Sequence, residues 1–268
     1  MAIETATTST LSAGRLRAQQ HATERAAHEQ ERAANPRALR SHAELKALAE
    51  QGASELGETD AETVLAWAAT NFGTSLTVAC SMADAVLPHL VARFQPWVDV
   101  LFLDTGYHFS ETIGTRDAAE ATMQLTIVDV TPKLSVAEQD AAYGERLYER
   151  DPTACCAMRK VEPLSRSLGG YEAWVTGVRR DEAPTRANTP LITWDDKNGL
   201  VKINPLAAWS FDDLTAYADE YDVLLNPLLS DGYPSIGCAP CTKRVAPGED
   251  PRSGRWAGLD KIECGLHV

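Results

Sequence analysis

Trp97-Val98-Asp99-Val100-Leu101-Phe102-Leu103 is a short, mostly apolar run that closes on Asp104-Thr105-Gly106. A run of this length bounded by turn residues reads as a buried parallel strand. Upstream, Leu76-Thr77-Val78-Ala79-Cys80 is another such run, ending in Ser81-Met82-Ala83-Asp84. Downstream, Leu125 to Val130 and Ala173 to Gly177 repeat the pattern, and Asp84 to Arg93 and Ser110 to Met123 read as helices between strands. Strands alternating with helices of roughly ten to fifteen residues imply right-handed crossovers and a parallel α/β sheet covered on both faces.

Further out, Leu191 to Trp194 and Leu200 to Asn204 flank Asp195-Asp196-Lys197-Asn198-Gly199 and read as a hairpin with an Asn-Gly turn. Ser210 to Glu220 reads as a helix with Ser210 as N-cap and Asp213 at its third position. Helical patterns also begin near His42 to Leu48 and from Asp60 to Ala69, and beyond Asn226 the Pro- and Gly-rich chain reads as loops. Residues 1 to about 40 are rich in Ala, Arg, Glu, Thr and Gln, with scarcely any large apolar side chain. Such a composition buries too little surface to offset the entropy of ordering, so it predicts a disordered or loosely helical extension. The expected division is therefore an extension over 1–40, an α/β domain over 41–250 and a loop-rich, mobile tail over 251–268.

The chain has 268 residues and a net charge of −13, which argues against general nucleic-acid binding because phosphate neutralisation needs a basic surface. No run of about eighteen apolar residues is present, so no membrane span is expected. No charged segment followed by an apolar one opens the chain, so no secretion signal is read and a reduced, cytoplasmic compartment is expected. These features leave a homo-oligomer open.

Ligands in open parallel sheets bind beyond the carboxyl ends of the strands. Here those ends offer Ser81, then Asp104 and Thr105, then Arg179 in Thr176-Gly177-Val178-Arg179-Arg180. A Ser at a strand-to-helix turn can present its hydroxyl and the following N–H groups to a phosphate. The plain alternatives are an ordinary helix start at Ser81 and an ordinary strand-to-loop turn at Asp104.

Five of the six cysteines carry the chemistry. Cys238-Ala239-Pro240-Cys241 has metal-ligand spacing, and Cys155-Cys156 is placed to supply a second pair. Adjacent Cα atoms lie only about 3.8 Å apart, below the roughly 4.4–6.8 Å of an ordinary disulfide. Adjacent thiolates can instead bind different irons of one cubane, which favours an iron–sulfur cluster over the alternative, a zinc ion held by four thiolates. Lys160 follows Cys156 by four positions, one helical turn, and can face the same side. Cys264, in Glu263-Cys264-Gly265-Leu266-His267, has no core to pack into. A thiolate there would be a nucleophile, with His267, Arg252 and Arg255 as candidate cationic neighbours. Cys80 ends a buried strand and reads as simple packing.

Taken together, Leu103-Asp104-Thr105-Gly106, Cys155-Cys156-x-x-Arg159-Lys160, Thr176-Gly177-x-Arg179-Arg180-Asp181, Pro184-Thr185-Arg186, Gly237-Cys238-x-Pro240-Cys241-Thr242, Gly254-Arg255-Trp256 and the Glu-Cys-Gly-Leu-His tail resemble the assimilatory adenylyl-sulfate reductases. These form the iron–sulfur branch of the phosphoadenylyl-sulfate reductase family, and the resemblance runs from about Ser75 to the C-terminus. It implies a sheet of the adenine-nucleotide α-hydrolase type that binds adenosine 5′-phosphosulfate, or its 3′-phosphorylated form as the alternative. It implies attack by Cys264 on the substrate sulfur, an S-sulfo intermediate, and release of sulfite by thioredoxin or a similar dithiol protein, in sulfate assimilation toward cysteine. It also implies a [4Fe–4S] cluster on Cys155, Cys156, Cys238 and Cys241. Lys160, Arg252, Arg255 and His267 match positions that grip the phosphosulfate, and Arg186 matches a nucleotide contact. The loop Ser81-Met82-Ala83-Asp84 departs from the family's usual Ser followed by small or aromatic residues, so only a backbone contact to phosphate is expected at Met82. Two more remote readings are an ATP-pyrophosphatase, which would usually carry a Ser-Gly-Gly-x-Asp-Ser loop, and an iron–sulfur nucleotide sensor.

Overall fold

Val78, Val100 and Val175 lie side by side on three parallel strands, fully buried, at the centre of the sheet. The computed structural model describes residues 2–34, 38–259 and 261–266. Its helices and strands follow in the order α1 (Ala2–Ala34), α2 (His42–Leu56), α3 (Ala61–Phe72), β1 (Leu76–Cys80), α4 (Val86–Ala92), β2 (Val98–Leu103), α5 (Ser110–Thr122) and β3 (Leu125–Val130). Then come α6 (Val136–Tyr143), α7 (Leu147–Arg150), α8 (Pro152–Cys156), α9 (Glu162–Leu168), β4 (Ala173–Thr176), β5 (Ile192–Asp195), β6 (Leu200–Ile203) and α10 (Phe211–Tyr221). The strands form one sheet in the order β3-β2-β1-β4-β6-β5, parallel except for the edge strand β5. The expected α/β fold is the observed one.

Period-two alternation sorts the strand side chains between two layers. Val78, Val100, Phe102, Val175, Val201 and Ile203 join the large core under α2, α3, α4, α5 and α10. Leu101, Val130, Trp174 and Leu200 face the other way and meet Leu164 and Leu168 of α9. The chain winds outward from β1 to β3, then restarts at β4 on the other side of β1. That reversal opens a crevice at the carboxyl ends of β1 and β4, where Ser81 and Gly177 stand.

Three local features differ from the sequence reading. Trp97 is not the first residue of β2: it turns the chain with φ 61° and its N–H bonds Gln124 O at 2.7 Å, so pairing starts at Val98. Helix α4 starts at Val86 because Asp84 is held outside it, bridging to Leu225 while its Oδ1 accepts from Val86 N at 3.0 Å. Met82 takes φ 56° and buries its side chain in the core, with its carbonyl accepting from Asn226 Nδ2 at 3.1 Å. A methionine in this loop therefore costs the crevice nothing, since its side chain leaves it.

The extension expected to be disordered or loosely helical is a helix, α1, bound to the domain by charge rather than by apolar burial. Arg25 pairs with Glu120 at 2.8 Å, His21 Nε2 meets Met123 O at 2.7 Å, and Arg32 Nη1 donates to Asp99 Oδ2 at 2.6 Å. Arg40, in the segment after it, forks onto the buried Glu172 at 3.1 and 2.7 Å. Asp99 and Glu172 are buried carboxylates at the amino ends of β2 and β4. A polar segment of this kind can be held by pairing with charges the domain has buried.

Candidate active site

The crevice at the ends of β1 and β4 continues into one cavity. Cys80, Ser81 and Asp84 line it from β1, and Gly177, Arg179 and Arg186 from the segment after β4. Lys160 enters from the helical run after α8, and Arg252, Arg255 and Cys264 come from the C-terminal segment. Of the residues expected to bind substrate, the structure brings together Ser81, Lys160, Arg179, Arg186, Arg252 and Arg255 around Cys264. It does not bring Asp104 or Thr105 there. Asp104 Oδ1 accepts from Gly106 N at 2.9 Å and so closes its own turn, while Thr105 faces the cysteines. His267 lies outside the described residues.

Behind Lys160 and Arg255 lies a second, smaller cleft lined by Cys155, Cys156, Cys238 and Cys241. All six cysteines are free thiols. Cys155 and Cys156 end α8, whose start is fixed by Pro152 at its first turn and by Asp151 Oδ1 accepting from Ala154 N at 2.9 Å. The next turn, Ala157–Val161, is π-helical. Pro163 has no N–H for the carbonyl four residues back and its ring crowds it, which widens the turn that presents Arg159 and Lys160. Buried Arg159 ties this turn to the end of β2 and to α6, donating to Thr105 O and, at 3.0 Å, to Gln139 Oε1. Cys238 and Cys241 sit on a short turn pinned to the same place, with Ala239 N donating to Tyr107 O at 2.7 Å and Thr105 Oγ1 3.3 Å from Cys238 Sγ. Arg255 reaches between the two cavities past Gly237, where a Cβ would lie 2.3 Å from Arg255 Nη2.

The electrostatics divide the thiols. Burial, then the neighbouring Cys156, Cys238 and Cys241, push Cys155 up to about 12; burial, Cys238 and Cys156 push Cys241 up to about 11. Cys238 goes the other way: burial opposes its charge, but Lys160, the Thr105 hydroxyl and Arg255 outweigh it. Burial would discharge Lys160, yet Cys238 and Cys264 on either side keep it charged. Arg255 is pushed down by burial and by Arg252, against the pull of Cys264 and Cys238. Its Nε is buried without a hydrogen-bond partner among the described residues. Among those residues, no three His, Cys, Asp or Glu side chains are arranged as ligands of a single metal ion.

Cys80 packs against the main core, as its place at the end of a buried strand suggests, and it also borders the cavity, its thiol pushed up to about 12 by burial and then by Asp84. Sequence reading missed two parts of the site. His108 lines the cavity too, held at Leu103 O by a 2.9 Å contact; its place four residues after Asp104 was the available signal. Glu263 pairs with Arg186 and Arg252, and nothing in its spacing announced that.

A parallel sheet with a crevice at its switch point, a cavity ringed by cations around one thiol, and a cleft of four more thiols define a nucleotide-binding α/β protein equipped for sulfur chemistry. The phosphoadenosine phosphosulfate reductase domain matches residues 73–244, and the chain belongs to that family. A protein of Mycolicibacterium smegmatis called adenosine 5′-phosphosulfate reductase is 60% identical over 225 residues, spanning 84% of this chain and 95% of its own length. Its namesake in Streptomyces coelicolor is 59% identical over 228 residues, spanning 85% of this chain and 97% of its own. The crystal structure of phosphoadenylyl-sulfate reductase from Candida auris, a phosphate complex, is similar with a TM-score of 0.61 at 30% identity, covering 74% of this chain and 96% of that one. FMN adenylyltransferase of Candida glabrata, at a TM-score of 0.50 and 14% identity over 76% of this chain and 74% of that one, shares the fold alone.

Proposed function

We propose that the chain reduces adenosine 5′-phosphosulfate to sulfite and AMP in sulfate assimilation, through an S-sulfonated Cys264. The observation that carries this reading is the shared cavity of Cys264 with Lys160, Arg179, Arg186, Arg252 and Arg255. Attack at a sulfur surrounded by anionic oxygens needs a thiolate, and fixed cations where charge collects on the leaving group. The Nε of Arg255, without a hydrogen-bond partner among the described residues, is a donor available to such an anion.

In the first step the Cys264 thiolate attacks the sulfur of the phosphosulfate. A sulfur–sulfur bond forms, the sulfur–oxygen bond to phosphate breaks, and AMP leaves with that electron pair against the guanidinium groups. In the second step a thiolate of an external dithiol attacks Cys264 Sγ, and sulfite leaves with the sulfur–sulfur pair. The second thiol of the reductant then closes a disulfide and returns Cys264 as a thiolate. The two electrons come from the dithiol, and the transferred sulfur falls from the sulfate to the sulfite oxidation level. A thioredoxin-type protein in a reduced, cytoplasmic compartment would supply them. Among the described residues no helix is long and apolar enough to cross a membrane.

Cys155, Cys156, Cys238 and Cys241 would hold a [4Fe–4S] cluster. The donor set fits such a group: four free thiols line one cleft, and burial, then their mutual charge, push Cys155 and Cys241 up to about 12 and about 11, so that holding them there as thiolates calls for a compensating metal centre. When bound, the cluster would supply a compact anionic centre against which Lys160 and Arg255 keep their charge. Anaerobically purified protein should be brown and carry about four irons and four sulfides per chain. Stoichiometric zinc in their place would defeat the assignment.

The substrate is tested by sulfite release from the two nucleotides side by side, without oxygen and with thioredoxin as reductant. The unphosphorylated nucleotide should be turned over faster, as the names of the relatives at 59–60% identity suggest. Faster release from the 3′-phosphorylated form would assign the chain to the other specificity of the family.

A further inference from the structure

One group in the tail has no part in the chemistry above: the carboxylate of Glu263. Its side chain is only 11% exposed although it lies near the end of the chain. Both of its oxygens are engaged. Oε1 accepts from Arg186 Nε at 2.8 Å and from Thr185 Oγ1 at 3.2 Å. Oε2 accepts from Arg186 Nη2 at 2.9 Å and from Arg252 Nη2 at 3.3 Å. Two parallel bonds from one guanidinium form the strongest carboxylate pairing available to side chains. Burial works against the charge, yet Arg186 and Arg252 outweigh it and hold the carboxyl at about 2.

On the far side of Cys264 the grip is weaker. Gly265 O accepts from Lys197 Nζ at 3.2 Å, and Leu266 rests against the apolar layer of Leu164 and Leu168. Gly265 itself takes φ 83°, a conformation that a side chain would strain, so the chain turns sharply right after the thiol. The tail must be in the cavity for attack on substrate and out of it to meet a protein reductant. A charge pair at the residue before the thiol is strong enough to hold the first state and breakable enough to allow the second.

We propose that Glu263 is a positioning residue: its carboxylate, clamped by Arg186 and Arg252, is the latch that closes the tail and so places Cys264 in the cavity. The meaning of the latch for turnover rests on Cys264 being the nucleophile; the latch itself does not.

The test is alkylation of Cys264 by iodoacetamide in nucleotide-free protein prepared without oxygen, followed by the mass of the C-terminal peptide. Glu263→Gln keeps the shape and removes the charge. Loss of a charge-assisted pair shifts a docked–undocked equilibrium by about ten- to a hundredfold. E263Q should therefore alkylate Cys264 at least about tenfold faster than the wild type, with iron content and melting temperature essentially unchanged. Glu263→Asp keeps the charge and should fall between the two. Cys80, its thiol buried and pushed up to about 12, should stay unmodified throughout and serves as the internal reference. In a single turnover at saturating substrate, E263Q should transfer sulfonate to Cys264 more slowly, while the reductant clears a preformed adduct at the wild-type rate or faster. General loss of structure would not split the two steps in this way. Thr185→Ala removes one bond from the latch and should shift alkylation in the same direction by less, which keeps the test available if E263Q does not fold. Folded E263Q that alkylates Cys264 at the wild-type rate overturns the latch. Because no nucleotide is present in the alkylation, that result would leave the substrate reading standing, and failure of the substrate reading would leave the alkylation difference standing.

Discussion

Cys264→Ser protein should lose sulfite release by at least about a thousandfold while still binding nucleotide and keeping its full iron content. A serine hydroxyl at neutral pH is a far poorer nucleophile than a thiolate, and nothing else in the cavity replaces it. Cys80 is there, but burial and the adjacent Asp84 push its thiol up to about 12. Iron should stay because the four cleft thiols, Cys155, Cys156, Cys238 and Cys241, line a separate space from Cys264. Binding should stay because the cations are carried by the wall and not by the thiol. Sulfite assayed without oxygen, iron by chelation and nucleotide by equilibrium binding read the three properties separately. A variant that keeps releasing sulfite near the wild-type rate would remove Cys264 from the chemistry; one that loses iron would make it a ligand.

The second large effect is on stability, at the far end of the sheet. Arg40→Ala should destabilise the protein by about 3 kcal/mol, the lower end of the range for breaking a buried ion pair. Glu172 is 1% exposed and takes three bonds from Arg40, one from its backbone N–H at 2.6 Å and two from its guanidinium. The other end of the pair is less secluded, with Arg40 31% exposed, which sets the estimate low in the range. Glu172 precedes β4 at its amino end, and the cavity opens at the carboxyl end, so turnover per folded molecule should be unchanged. Urea unfolding followed by circular dichroism measures the first, and specific activity below the transition measures the second. Unaltered stability would mean that the segment before α2 is an appendage and not part of the fold.

Much of the fold was legible because apolar runs of strand length alternate with helical segments. Leu76–Cys80 and Leu125–Val130 are strands with the boundaries their sequences suggest, and Ser210 caps α10 with Asp213 bonding back to it at 2.8 Å. The first strand of the hairpin lies one residue later than its sequence suggests, because Asp195 pairs with Leu200, where the second strand begins as expected, and Gly199, at φ 72°, completes the turn. The illegible parts are those where charge decides. Helix α1 has no apolar face to announce it and is ordered by Arg25, Arg32 and the partners that the domain supplies. The site followed the same rule. Cysteine spacing revealed the thiol cleft, since four thiols in one pattern have few other uses. The placement of Glu263 on Arg186 and Arg252 did not show, because a carboxylate that pairs across 77 residues leaves no local trace.

The mass of the peptide that contains Cys264 tests the covalent account most directly. Wild-type protein given adenosine 5′-phosphosulfate without reductant should gain one sulfonate on that peptide, and a dithiol should remove it with release of one sulfite. An adduct on Cys80, or turnover with Cys264 unmodified at every time point, would contradict it.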